Sequence, residues 1–129
     1  MIILLDTHLL LWAAYTPDRL PASTRDDIDN DDNTLLFSAA SIWEVSIKSS
    51  LGRADFDVDP YVLRRGLIEN AYVELPVTAA HAAAVRDLPA VHRDPFDRML
   101  VAQARVEGVT LQTNDRLVAA YGSPARLVA

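Results

Sequence analysis

Four stretches of this chain each place carboxylates where a short apolar run gives way to a helical pattern: Asp6, Glu44, Asp94 with Asp97, and Asp115. In a parallel α/β sheet the C-terminal ends of the strands open onto one edge, so side chains at these four places converge. Carboxylates brought together raise one another's pKa and resist ionising until a cation neutralises them. An all-oxygen donor set suits Mg²⁺ or Mn²⁺, which keep some of their waters and bind phosphate. The chemistry this predicts is phosphoryl transfer by a metal-activated water, with no protein nucleophile. Zinc fits poorly. The chain has no cysteine, and His8, His81 and His92 lack a ligand spacing such as HExxH, so they read as ordinary surface or half-buried residues.

Each acid also has a plain structural reading. Asp6 and Asp115 suit helix caps, Ser41-Ile42-Trp43-Glu44 matches a capping box, and Asp94-Pro95-Phe96-Asp97 supplies a cap, a first-turn proline and a third-position acid. Two details argue that capping is not the whole account. Ser38 follows its apolar run directly and is the better cap, which moves Glu44 into the second turn, beyond the free N–H groups. The helix from Pro95 carries Phe96, Met99, Leu100, Val101, Ala102 and Val106 nearly all round, so it is expected to be buried and to bury Asp97 with it. A buried carboxylate needs a partner.

The elements that must position these residues alternate. Ile2 to Leu5 reads as a strand covered on both faces, followed by a helix around His8 to Ala14 and a break from Pro17 to Pro21. A helix from Ala22 to about Asp29 leads through an acidic loop to a strand at Thr34 to Phe37. The loop acids Asp26, Asp27, Asp29, Asp31 and Asp32 read as a solvated turn and receive no function. Ser38 then caps a helix to about Leu51, with Trp43, Ile47 and Leu51 in line and Gly52 as the stop. Asp59-Pro60 opens a helix to about Asn70, ahead of a strand at Tyr72 to Leu75 and a short helix at Thr78 to Arg86. The helix from Pro95 to Glu107, stopped by Gly108, precedes a strand at Val109 to Thr113, a short helix capped by Asp115 and an edge strand at Arg126 to Val128. Strand and helix in alternation, without hairpin dipeptides, predict an α/β fold: a parallel sheet with helices on both faces.

The 129 residues suffice for one domain, 1–129, with a proper core. No apolar run is long enough to span a membrane, no secretory pattern opens the chain and no cysteine occurs, so a soluble cytoplasmic protein is expected. A net charge of −6 argues against a broad electrostatic grip on nucleic acid; any polyanion must be held locally. Eleven of the twelve basic residues are arginine, with Lys48 the single lysine, which suits planar phosphate contacts and equally fits a codon bias.

Read together, LLDTHLLLW, SAASIWEVSIK, HRDPFDRMLVAQA and GVTLQTND resemble the motifs of the PIN domain family, and within it the VapC-type toxins of toxin–antitoxin pairs. They fall in that family's order and spacing over nearly the whole chain, and DPFDRMLVAQA is the most specific of them. The resemblance implies a three-layer α/β/α sandwich, Mg²⁺-dependent ribonuclease activity on an RNA substrate, a homodimer, and inhibition by a cognate antitoxin. It places the family's acidic set on Asp6, Glu44, Asp97 and Asp115. Asp6 and Asp97 become the principal metal ligands, Glu44 a ligand directly or through water, and Asp115 an outer or second-metal carboxylate. Asp94 remains a cap or a further ligand. Thr113, and with it Thr7 and Ser38, could orient a water or a carboxylate. Arg98 and Arg116 beside the acids could hold phosphate or pair with neighbouring carboxylates, and Lys48 and Arg53 could extend that track. Trp12 and Trp43 fall on apolar helix faces and read as core rather than as base-stacking platforms. An antitoxin tail could place an arginine among the acids.

Other classes stay in view. A receiver-type phosphoacceptor module is also small, acidic and Mg²⁺-binding, but it calls for an acid pair after the first strand and a lysine after the last, where this chain has Asp6-Thr7-His8 and no such lysine. A non-catalytic metal-binding domain and a related DNA nuclease are the remaining alternatives; the latter lacks room here for additional DNA-binding elements.

Overall fold

The protein is described as a computed structural model covering residues 1–53 and 56–129. Strand β1 (Ile2–Leu5) leads into helix α1 (Thr7–Tyr15), a 3-10 turn (Pro17–Arg19) and α2 (Ala22–Asp29). Next come β2 (Thr34–Ser38), α3 (Ala39–Ser50), α4 (Pro60–Glu69), β3 (Val73–Leu75) and α5 (Ala79–Ala84). A second 3-10 turn (Val85–Asp87), α6 (Pro95–Glu107), β4 (Thr110–Thr113), α7 (Arg116–Ala119) and β5 (Ala125–Leu127) complete the described elements.

All the strand pairs are parallel, in the order β3-β2-β1-β4-β5. The apolar run of β1 belongs at the centre, because both its faces are covered. Ile3 and Leu5 pack on one side with Leu9, Leu10, Phe37, Val45, Leu63 and Leu67. Leu4 packs on the other with Leu36, Leu100, Val101, Ala104 and Leu111. Burying one such Leu or Phe side chain contributes about 1.5–3 kcal/mol, so these two layers dominate the stabilising terms. The result is the expected three-layer α/β/α sandwich.

The order places the chain's reversal of direction between β1 and β4: successive crossovers run from β1 outward to β3, then the chain returns to β4 and continues to β5. The crevice beyond the C-terminal ends of β1 and β4 is therefore the topological switch point, where open α/β sheets bind ligands. Asp6 directly follows β1 and Thr113 ends β4.

Several bounds differ from the sequence-based expectation: β3 starts at Val73, β4 at Thr110, and α5 ends at Ala84. The edge strand sits one residue earlier, because Leu111 pairs with Ala125 and Thr113 with Leu127. Trp43, Ile47 and Leu51 do share a face, but it is a solvent face, with Trp43 61% exposed, whereas α3 turns Ala40, Ser41, Glu44 and Val45 inward. Trp43 meets Phe96 edge to face, with ring centroids 5.1 Å apart. Trp12, by contrast, is partly buried against the core. Among the described residues no helix is long and apolar enough to cross a membrane.

Candidate metal centre at the carboxyl edge of the sheet

Asp6 is the first residue past β1 and is 4% exposed. It caps α1: its Oδ1 accepts the Leu9 N–H at 2.9 Å. Its other oxygen, Oδ2, accepts the Thr113 hydroxyl at 2.6 Å. Burial pushes the Asp6 carboxyl up from its ordinary range, against the opposing pull of the Thr113 and Leu9 hydrogen bonds and of His8. Thr113 Oγ1 also accepts the Asp115 N–H at 3.0 Å, so one hydroxyl ties the ends of β1 and β4 together. Asp115 caps α7, accepting the Leu117 N–H at 2.8 Å.

Two of the polar residues beside the acids position helices. Thr7 donates to Ser41 Oγ at 2.9 Å, joining α1 to α3. Ser38 accepts the Ala40 N–H at 3.0 Å as the cap of α3 and donates to Gln103 Oε1 at 2.5 Å. With Ser38 as the cap, Glu44 lies in the second turn of α3. It is buried, with Oε2 held by Lys48 Nζ at 2.6 Å. Its Oε1 is buried and has no hydrogen-bond partner among the described residues.

Asp94 caps α6, its Oδ1 accepting the N–H groups of Phe96 at 2.8 Å and Asp97 at 3.1 Å. Asp97 stands in the first turn, and its Oδ2 lies 2.8 Å from His92 Nε2. Burial lifts the Asp97 carboxyl to about 6; the hydrogen bond from His92 opposes this, and the charges of Asp94 and Glu44 add to it.

The structure brings Asp6, Glu44, Asp94, Asp97 and Asp115 to one pocket of about 170 Å³, whose walls include Thr7, His8, Lys48 and His92. Arg98 does not line it. Its guanidinium donates to the carbonyls of Val85, Pro89 and His92 and to the Tyr121 hydroxyl, at 2.9–3.3 Å. Arg116 is exposed on α7 and is likewise outside the lining. A larger cavity of about 590 Å³ lies between α1, α2 and α4, where the one lining acid is Asp29. Size does not make it the reactive site, since it gathers no carboxylates.

Sequence reasoning set His92 aside, yet its imidazole reaches Asp97. The spacing of five residues across a helix start carried no recognised ligand pattern; His92-x-Asp94-x-x-Asp97 is legible only once the cap folds the segment back on itself. Lys48, read with Arg53 as an extension of a phosphate track, is in contact with Glu44.

The donor chemistry fits a divalent cation. The pocket gathers carboxylates, two of them with pKa values raised by burial, together with a buried oxygen that has no partner, and a cation would satisfy all three. The PIN domain family model matches residues 3–122. The chain belongs to the PIN domain family. PIN domains are nucleases that use divalent metal ions, and membership removes the receiver-type reading. Among solved structures this PIN domain is similar to VapBC2 from Rickettsia felis bound to a promoter DNA fragment, at 16% identity over 100% of both chains with a TM-score of 0.72. It is also similar to DNA-bound VapBC from Salmonella typhimurium, at 16% identity over 98% of this chain and 96% of that one with a TM-score of 0.72. VapBC-1 from nontypeable Haemophilus influenzae gives 14% identity, the same coverages and a TM-score of 0.67. No curated protein matches this PIN domain.

Proposed function

We propose that this PIN domain is a VapC-type toxin, a metal-dependent endoribonuclease. The observation that carries the reading is the convergence of Asp6, Glu44, Asp94, Asp97 and Asp115 at the sheet's switch point, around a buried Glu44 oxygen with no partner. Asp6 and Asp97 are the principal ligands for Mg²⁺ or Mn²⁺, Glu44 binds directly or through water, and Asp115 and Asp94 complete the acidic set. When bound, the cation supplies water activation and compensation of charge on the attacked phosphodiester.

The chain's own residues do the rest. Thr113 holds Asp6 Oδ2 and the Asp115 backbone in one arrangement, so the two sides of the crevice keep their spacing. Capping occupies Oδ1 of Asp6 and of Asp94; Asp94 Oδ2 lies outside its cap, and Asp6 Oδ2 accepts the Thr113 hydroxyl with one lone pair and keeps another for ligation. Lys48, partly exposed, neutralises Glu44 and presents a cation at the pocket wall where a phosphate would arrive. A net charge of −6 leaves RNA to be gripped locally, by Lys48, Arg116 and Arg53, rather than by a basic surface.

An antitoxin partner is supported by the solved relatives, which are VapBC complexes. The apolar cavity between α1, α2 and α4 offers a helical segment a seat, and a basic antitoxin tail is complementary to the acidic pocket. Homodimer formation is supported by the exposed Trp43, Ile47 and Leu51 stripe of α3. A cytoplasmic location follows from the same toxin–antitoxin reading.

The test is incubation of partner-free protein with total cellular RNA in Mg²⁺ or in EDTA, beside Asp6→Asn and Asp97→Asn. Cleavage that requires Mg²⁺ and is lost in both variants is expected. Cleavage that survives EDTA refutes the metal reading. Cutting of DNA alone would move the assignment to a DNA nuclease, and no cutting of either by a folded, metal-binding protein to a regulatory domain.

A further inference from the structure

The acids of the pocket are not its only possible ligands. Among the described residues, His92, Asp94 and Asp97 each offer a ligand atom within 4.8 Å of the others. Their Nε2 and Oδ2 atoms already stand 2.8 Å apart in the case of His92 and Asp97. That separation is close to the edge of an octahedron with bonds of about 2.1 Å, roughly 3 Å.

The three residues are held before any ion arrives. Asp94 is fixed by accepting two backbone N–H groups through Oδ1, which leaves Oδ2 outside the cap. Asp97 is carried by the first turn that this cap starts. The His92 carbonyl accepts from the Tyr121 hydroxyl at 3.1 Å and from Arg98 at 3.3 Å, and Arg98 also donates to that hydroxyl at 2.9 Å. Arg98 thus acts as a positioning residue for His92. A second observation points to a cation in this pocket. Glu44, 6% exposed and lining the same pocket, carries the Oε1 atom with no partner among the described residues.

We propose that His92, Asp94 and Asp97 form a rim site for a divalent transition-metal ion, sharing Asp94 and Asp97 with the acidic centre and selecting Mn²⁺ or Zn²⁺ over Mg²⁺ through the imidazole nitrogen. Imidazole is a borderline donor that these ions accept readily, whereas Mg²⁺ holds to oxygen and to its waters. On binding, the ion replaces the proton between His92 Nε2 and Asp97 Oδ2. The inference concerns binding and stands whether or not the chain cuts RNA.

The experiment uses the full chain, without an affinity histidine tag. Calorimetric titrations with Mn²⁺, Zn²⁺ and Mg²⁺ are compared for the parent, His92→Gln, Asp94→Asn and Asp6→Asn. Pulsed electron paramagnetic resonance of the Mn²⁺-loaded proteins reads modulation from a directly bound nitrogen. The parent and Asp6→Asn are expected to show bound nitrogen. His92→Gln is expected to lose that signal and roughly tenfold or more in Mn²⁺ and Zn²⁺ affinity, with Mg²⁺ affinity changing less than about twofold. Asp94→Asn, which preserves the cap, serves should His92→Gln fail to fold, and is expected to weaken the same ions. Absence of bound nitrogen in the parent, or Mn²⁺ and Zn²⁺ affinities unchanged in His92→Gln, overturns the proposal. A parent protein that shows the nitrogen signal yet cuts no RNA would count against the nuclease reading alone.

Discussion

Replacing Asp97 by asparagine should make the metal-free protein more stable at neutral pH while removing its ability to hold a cation. Burial lifts this carboxyl from 3.8 to about 6, and its side chain is 20% exposed. At about 1.4 kcal/mol per pH unit, the folded state gives up about 3 kcal/mol by carrying the charge. The sign follows from the direction of the shift. Below about pH 3 the group is protonated folded and unfolded, and there is no penalty. From about pH 4 to about 6 the unfolded chain has released its proton while the half-buried folded carboxyl still holds it, so stability falls until the folded group ionises at about 6 and the penalty is complete. Urea unfolding in EDTA should therefore find Asp97→Asn more stable than the parent by about 2–3 kcal/mol near pH 8 and equal to it near pH 3. Adding Mn²⁺ to about a hundredfold excess over Kd should return about 2.7 kcal/mol to the parent and nothing comparable to the variant. A variant no more stable than the parent near pH 8, or a gain of the same size at both pH values, would refute the charge argument.

Thr113→Val removes the hydroxyl that holds Asp6 Oδ2, and should weaken Mn²⁺ binding by roughly tenfold in calorimetry while leaving the circular dichroism spectrum unchanged. Gly108 ends α6 at φ +67°, so Gly108→Ala should cost about 1 kcal/mol in urea unfolding, although nothing stands near the added methyl. Trp43→Ser lies on an exposed face and should change stability by less than about 1 kcal/mol, yet shift the proposed homodimer toward monomer in sedimentation velocity; an unchanged sedimentation coefficient removes this face from consideration.

Much of the fold could be read because its punctuation is local. The run Ile2 to Leu5 is apolar on both faces and sits at the sheet centre, and Asp59-Pro60 and Asp94-Pro95 open α4 and α6 as the dipeptides predict. The capping reading and the site reading of the acids were not rivals. Asp6, Asp94 and Asp115 all cap helices through Oδ1 and line the pocket as well. A carboxylate has two oxygens, and the competition imagined from sequence was between uses of different atoms. What stayed hidden depends on facing. Periodicity aligned Trp43, Ile47 and Leu51, but an apolar stripe does not say whether it meets the core, and here Glu44 and Val45 are the inward side of α3. The ties from Ser38 to Gln103 and from Asp6 to Thr113 span 65 and 107 residues and depend on sheet order. His92 escaped because its partner is reached through the turn ahead of α6.

The placement of β4 beside β1 carries a consequence for the protein as it is being synthesised. The sheet's middle is closed by Thr110–Thr113, long after its neighbour β1 has been made. A nascent chain that ends before β4 has β1 paired on one side alone, with an open apolar edge that invites association with other chains or with chaperones. It also lacks Thr113 to restrain Asp6, and Asp115 to complete the acid set. The pocket therefore cannot assemble until Thr113 and Asp115 have emerged, and any cleavage that depends on it waits for that point in translation.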